Sequence, residues 1–227
     1  MAISIDASSG WIPDGRWLDG QQLHVLDELL RWARRDTPNE NNHWVQGFAG
    51  SGKTILIVYA MHQTMELLRN EASHKKVCFI AYTHSLKGLV LSAFQSKDGD
   101  DIPVYTFDEF GSIPREEGNF DFVFVDEAQD IQQKHLRLLK ERCNKIVLAG
   151  DPQQSIFTKA LPTESISANL NVPRQNLHYL SILYRLPRPV VEFADKILAD
   201  TGMVQADNGW TGSDGTFVVN RFGCPED

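Results

Sequence analysis

Two short runs carry residue types and spacings suited to phosphate chemistry. Gly47-Phe-Ala-Gly-Ser-Gly-Lys53-Thr54 fits the pattern G-x-x-x-x-G-K-[ST]. Gly47, Gly50 and Gly52, with Ser51 between the last two, let successive backbone N–H groups turn inward onto an anion, and the start of a following helix adds its partial positive charge. Lys53 would reach the β/γ-phosphates of a nucleotide such as ATP, and the Thr54 hydroxyl would ligate Mg²⁺. The second run, Phe122-Val-Phe-Val-Asp126-Glu127, sets two carboxylates at the carboxyl end of an apolar strand, where α/β proteins hold their ligands. Asp126 is expected to hold Mg²⁺, and Glu127 to polarise an attacking water. On its own an Asp-Glu pair is as easily a solvated helix start, since acids favour the first turn. The phosphate loop tips the reading toward chemistry.

Such residues need a sheet to position them, and the hydrophobic pattern supplies one. Leu23, Leu26, Leu29, Leu30 and Ala33 recur at helical spacing over 21–35, and Pro38 ends the pattern. A strand over 43–46 runs into the glycine turn, and a helix follows over 53–70. Strands are expected over 77–82, 103–107, 120–125 and 145–149, with helices over 85–95, 135–143 and 188–198. The alternation predicts an α/β fold with a mainly parallel sheet covered by helices on both faces. Residues 158–176 read as an irregular excursion. Residues 1–17 read as a loop-like lead-in, 18–205 as the nucleotide-binding domain, and 206–227 as a linker and the start of a further domain, with a strand over 216–220.

Composition bounds the function. With 227 residues, 42% hydrophobic and 23% charged, the chain is an ordinary globular protein with room for one sizeable core. The longest apolar runs, 55–61 and 122–125, fall far short of the roughly 18 residues of a membrane span, and the first ten residues carry no secretory signal. Three scattered cysteines argue against a disulfide scaffold or a zinc site. The expected setting is cytoplasmic. A net charge of −8 excludes a protein that coats nucleic acid through bulk positive charge; contact with such a polymer would need a local groove.

Further segments fit a known family. Asp126-Glu-Ala-Gln-Asp130 and Ala149-Gly-Asp-Pro-Gln-Gln154-Ser-Ile-Phe157 resemble motifs II and III of superfamily 1 helicases of the UvrD/Rep type. In the family's order, Leu18-Asp-Gly-Gln-Gln22 resembles the Q motif, Phe79-Ile-Ala-Tyr82-Thr83-His84 motif Ia, Val104-Tyr-Thr-Phe107-Asp-Glu-Phe110 motif Ib, and Leu183-Tyr184-Arg185-Leu-Pro187 motif IV. The resemblance covers about 18–200 and implies a RecA-like P-loop NTPase domain, the first of two in such motors. By the same resemblance Gln22 reads adenine, Gln154 senses the γ-phosphate, and Arg185 stabilises the transition-state charge. Tyr82 and Phe157 fall where the family stacks unpaired bases, worth about 1–3 kcal/mol per base. Thr83, His84 and Thr106 are candidates for backbone phosphates. Tyr82 and Phe157 also read as core aromatics at a sheet edge.

Several departures qualify the resemblance. Lys159 stands where the family usually has tryptophan, and Leu183 replaces an asparagine. Residues 111–120 leave no space for the helical subdomain usually inserted there, and motifs V and VI have no counterpart. The leading expectation is therefore an ATP-hydrolysing motor domain for movement on single-stranded nucleic acid, DNA favoured over RNA. It would work with a second RecA-like domain and hydrolyse slowly alone, since a supplied arginine is worth about 10³–10⁵ in rate. A nucleotide-dependent switch or interaction module is the alternative. A small-molecule P-loop kinase accounts for neither the Gly150-Asp-Pro-Gln-Gln154 nor the Tyr-Arg segment.

Overall fold

Successive residues of a strand point to opposite faces, and the apolar runs of this chain sort accordingly. The computed structural model describes residues 3–6, 11–12, 18–35, 41–96, 102–155, 157–185 and 187–197. In chain order the elements are β1 (Ile3–Ile5), α1 (Gly20–Arg34), β2 (His43–Gly47), α2 (Lys53–Asn70), β3 (Val77–Ala81), α3 (His84–Ser92), β4 (Phe94–Ser96), β5 (Val104–Thr106), α4 (Phe107–Ser112), β6 (Phe120–Val125), α5 (Gln133–Arg142), β7 (Cys143–Ala149), α6 (Thr163–Asn169), β8 (Leu177–Leu180) and α7 (Arg188–Ile197). By their contacts the described residues form two units, one drawn from 1–47 and 53–180, the other from 48–52 and 181–227.

The first unit holds a six-stranded sheet in the order β5-β3-β6-β7-β2-β8, parallel throughout. Val45, Phe79, Phe122, Phe124 and Val147 face one core with Leu26 and Leu29 of α1 and Leu56 and Ile57 of α2. Their alternates Trp44, Cys78, Ile80, Val123, Val125 and Ile146 face a second core with Phe110 of α4, Leu136 and Leu139 of α5, and Ile166 of α6. Two helical layers around one parallel sheet are the RecA-like arrangement, as expected. The carboxyl ends of β6, β7 and β2 come side by side, which brings the segments following Val125 and Ala149 to one edge.

Of the second unit, residues 48–52, 181–185 and 187–197 are described. Its helix α7 carries Pro189 in the first turn, where a missing N–H leaves no bond unmade, and an Arg188–Glu192 ion pair at 3.0 Å lies one turn apart.

Local departures from the pattern have simple causes. The loop-like lead-in contains β1, which pairs antiparallel with β4, Ile3 opposite Ser96. Three-residue strands are too short to show alternation. The helix expected over 85–95 stops at Ser92, and Phe94 turns into β4. Within the excursion at 158–176 lies α6, a short helix with Ile166 as its buried residue. The edge strand β8 went unpredicted because exposed Tyr179 and polar His178 interrupt its apolar residues. The linker and further domain expected over 206–227 lie outside the described residues.

Candidate nucleotide and nucleic-acid site

Asp126 follows the last residue of β6 with its backbone N–H on Ile80 O at 3.0 Å, which seats the carboxyl at the strand's end. It is 1% exposed. Its Oδ2 accepts from the Thr54 hydroxyl at 2.7 Å and its Oδ1 from the Glu127 N–H at 3.0 Å. Burial, then the neighbouring Glu127 charge, pushes the Asp126 carboxyl up to about 6 against the pull of those two hydrogen bonds and of Lys53. Lys53 and Thr54 open α2, and the Lys53 ammonium donates to Gly47 O at 2.7 Å, the carbonyl that ends β2. Two residues predicted as Mg²⁺ ligands from separate motifs are thus in contact.

Glu127 takes the left-handed conformation, φ 53° and ψ 43°, uncommon for a residue with a side chain. It turns the chain from β6 into a short 3₁₀ helix at Ala128–Asp130. Its carboxylate accepts from Gln129 Nε2 at 2.6 Å, and Gln129 Oε1 accepts from the Asp151 N–H at 3.1 Å. Asp151 in turn accepts from the Gln153 N–H at 3.0 Å and from the Gln154 amide at 2.6 Å. Ser155 donates to Asp130 at 3.2 Å. The segment after β7 is therefore tied to the segment after β6, and exposed Gln154 stands at the end of that chain of bonds. Sequence reading missed Gln129, Asp130 and Asp151. Their spacing within the two motifs was visible, but their pairing is long-range.

The phosphate loop proper, 48–52, groups with the second unit. Gly50 has φ 80° and Gly52 φ 85°. A side-chain carbon on Gly50 would lie 2.6 Å from Arg185 Cβ, so that position admits only glycine. The Tyr184 N–H donates to Gly50 O at 2.9 Å, and the Ser51 N–H to Phe48 O at 3.2 Å, with Ser51 buried. The structure thereby brings Arg185, itself exposed, against the loop through its backbone and Cβ. Leu183, in place of the family's asparagine, is buried.

Gln22 is buried in the first turn of α1, where its Oε1 accepts from the Asp19 N–H at 3.1 Å and Asp19 accepts from the Gln22 N–H at 2.9 Å. This capping box holds the side chain in one orientation, and an amide oxygen keeps a second lone pair for a ligand.

Among the strand-track candidates, Tyr82 and Phe157 pair, with ring centroids 5.2 Å apart. Phe157 is 43% exposed, too open for a core aromatic, whereas Tyr82 is half-buried and braced edge-on by Phe107 and His135. Burial raises the Tyr82 phenol, which Gln132 hydrogen-bonds. Thr83 is exposed and caps α3, accepting from the Leu86 N–H at 3.1 Å, and His84 beside it is exposed. Thr106 is 5% exposed and caps α4, accepting from the Glu109 N–H at 3.3 Å, so its hydroxyl is engaged within the fold. Lys87 joins the two caps by holding both Glu109 oxygens at 2.8 Å and keeping that carboxyl below its usual range.

Among the described residues no group of three or more His, Cys, Asp or Glu is arranged to hold a metal, and no helix is long and apolar enough to cross a membrane.

Comparison with solved structures finds the Pif1 helicase from Candida albicans at TM-score 0.50 and 18% identity, covering 80% of this chain and 43% of that one. An Arterivirus nonstructural protein 10 (helicase) in complex with DNA follows at TM-score 0.48 and 16% identity, covering 79% and 44%, and a Bacteroides Pif1 bound to ssDNA at TM-score 0.44 and 17%, covering 78% and 45%. This chain thus spans less than half the length of those structures. No curated protein matches it in sequence. The family model described as the viral superfamily 1 RNA helicase core domain matches residues 43–214, a span holding the phosphate loop, both carboxylates, Gln154 and Arg185. On a match over most of its length, the chain belongs to the superfamily 1 helicase core family.

Proposed function

We propose that this chain is the ATP-binding motor domain of a superfamily 1 helicase or translocase, coupling ATP hydrolysis to movement on single-stranded nucleic acid. The observation that carries the reading is the 2.7 Å contact of Thr54 with buried Asp126, since two oxygen donors from separate motifs meet at one strand end. That donor set fits Mg²⁺, which is commonly held by one or two carboxylates together with substrate phosphates rather than by an all-protein cage. Thr54 and Asp126 would hold the ion, and Mg²⁺ when bound supplies neutralisation of the β- and γ-phosphate charge.

The chain's own residues divide the remaining work. Gly47, Gly50, Ser51 and Gly52 offer backbone N–H groups to the phosphates, and Lys53 exchanges Gly47 O for a phosphate oxygen. Glu127 orients the attacking water and takes up its proton. Gln154 and Arg185 answer to the γ-phosphate, and Gln22 selects adenine. The UvrD/Rep type is the narrower form of the proposal, resting on Asp126-Glu-Ala-Gln-Asp130 and Gly150-Asp-Pro-Gln-Gln154. A second RecA-like domain, in cis or from a partner, would complete the motor.

The nucleic-acid track is assigned to Tyr82 and Phe157, with Thr83 and His84 beside them and Thr106 supporting α4. Two labelled oligonucleotides, one single-stranded DNA and one single-stranded RNA, test it by anisotropy across a salt series. The log of affinity is expected to fall with log salt, by about 0.7 per phosphate contacted. Phe157→Ala should weaken binding by about 1–3 kcal/mol without changing ATP affinity. Binding to neither polymer, or an affinity indifferent to salt, would contradict the motor reading and favour a nucleotide-dependent switch.

A further inference from the structure

Gln129 is 3% exposed, and both ends of its amide are engaged by groups from different loops. Its oxygen accepts from the backbone N–H of Asp151 at 3.1 Å, which fixes the amide's orientation, since an N–H can face only an acceptor. The amide nitrogen is therefore directed at Glu127, and donates to Oε2 at 2.6 Å. The loop after β7 is shaped around this arrangement. A side-chain carbon on Gly150 would fall 2.3 Å from Gln129 Oε1 and 2.9 Å from the Ala128 nitrogen. Glu127 itself sits in a left-handed backbone conformation that its neighbours must hold in place.

We propose that Gln129 is a positioning residue of the hydrolytic site: through its amide it fixes the Glu127 carboxylate and locks that position to the backbone at Asp151. The assignment rests on the reading of Glu127 as the residue that orients water. A glutamine suits the task because it offers one donor and one acceptor at a fixed separation and does not titrate. Its donor needs an acceptor oxygen, and the nearest Glu127 oxygen supplies one at 2.6 Å. Misplacing a reacting group by about 1 Å can cost 10²-fold in rate, and this defines the expected effect.

Two variants of the full chain separate positioning from mere support. Gln129→Ala removes both bonds. Gln129→Glu keeps an acceptor for the Asp151 N–H but sets an oxygen against the Glu127 carboxylate. Single-turnover hydrolysis of ATP–Mg²⁺, equilibrium ATP affinity and amide exchange at Asp151 are measured together. Both variants should hydrolyse about 10²-fold more slowly at ATP affinities within about twofold of wild type. Asp151 amide protection should be lost in Gln129→Ala and kept in Gln129→Glu. Wild-type turnover in Gln129→Glu overturns the assignment, as does a parallel loss of affinity and turnover in whichever variant folds. If either variant fails to fold, the rate and affinity of the other decide. A wild-type chain that binds ATP without any hydrolysis overturns the role of Glu127 itself, and this assignment with it.

Discussion

Near the amino ends of β2, β7 and β8 the first unit buries Asn42, His43, Lys145 and His178; at the carboxyl ends of β6 and β7 it buries Asp126, Gln129 and Asp151. At the amino end the polar groups complete the fold. The Lys145 ammonium donates to Trp32 O at 2.9 Å and Arg35 O at 2.5 Å, adding to the Arg35 N–H bond that already closes the end of α1 on Trp32 O. Asn42 donates to Leu170 O at 2.6 Å and accepts from the Ile146 N–H at 2.7 Å, joining β7 to the end of α6. His43 stacks on His178 with ring nitrogens 2.8 Å apart, and burial lowers it to about 3, so it stays neutral at physiological pH. The carboxyl end differs in kind. It holds a carboxyl raised by burial, a left-handed glutamate and a glycine pressed against an amide. Equal burial therefore goes with hydrogen-bonded cohesion at one end, whereas at the other it goes with a raised carboxyl and a left-handed backbone, the features on which the proposed site rests.

The sharpest way to break this contrast is Lys53→Ala. ATP affinity should fall at least about 10²-fold if Lys53 is the cation proposed to meet the β/γ-phosphates. The melting temperature should barely move, since the lysine's bond to Gly47 O is half-exposed. Isothermal titration and a thermal melt on one preparation check both halves.

Asp126→Asn tests whether the carboxyl end is held at a cost. The folded-state value near 6 lies above the ordinary 3.8, so the folded chain holds the proton more tightly than the unfolded one. Stability linked to this group is present below about pH 4 and lost as pH rises through about 6. A neutral amide escapes that loss, so the variant should be more stable at pH 7 by about 2–3 kcal/mol in nucleotide- and Mg²⁺-free buffer. The gain should vanish near pH 4, and Mg²⁺-dependent ATP binding should be lost. Denaturant melts at the two pH values measure it.

Lys145→Met tests the opposite end with the opposite sign. Losing two charge-assisted bonds to backbone carbonyls at the end of α1 should destabilise the fold by about 2 kcal/mol, with ATP affinity unchanged. A loss of ATP affinity there would erase the distinction between the ends.

The two ends also differed in how far the sequence disclosed them. Lys53, Thr54, Asp126 and Glu127 stand out as candidates because phosphate chemistry demands fixed residue types at fixed local spacing, and the strand–turn–helix context is itself local. The same locality recovered α2 and β6 residue for residue. Lys145 and Asn42 carry no such mark: each meets partners more than a hundred residues away. Gln129 lay inside a recognised motif, yet its role appears only when Asp151, after the neighbouring strand, comes within 3.1 Å. Thr83 and Thr106 show the reverse case, hydroxyls read as phosphate contacts that also serve as helix caps. Short edge elements such as β1, β4 and β8 escaped because three or four residues cannot display a period.

The central claim is that the carboxyl end of the sheet is an ATP-hydrolysing site with Glu127 as its base. Single-turnover ATP–Mg²⁺ hydrolysis by the wild-type chain and by Glu127→Gln, with affinity measured alongside, tests it most directly. The account predicts retained ATP binding and hydrolysis reduced by about 10² or more, in line with the loss of a general base. Wild-type hydrolysis by Glu127→Gln would contradict it.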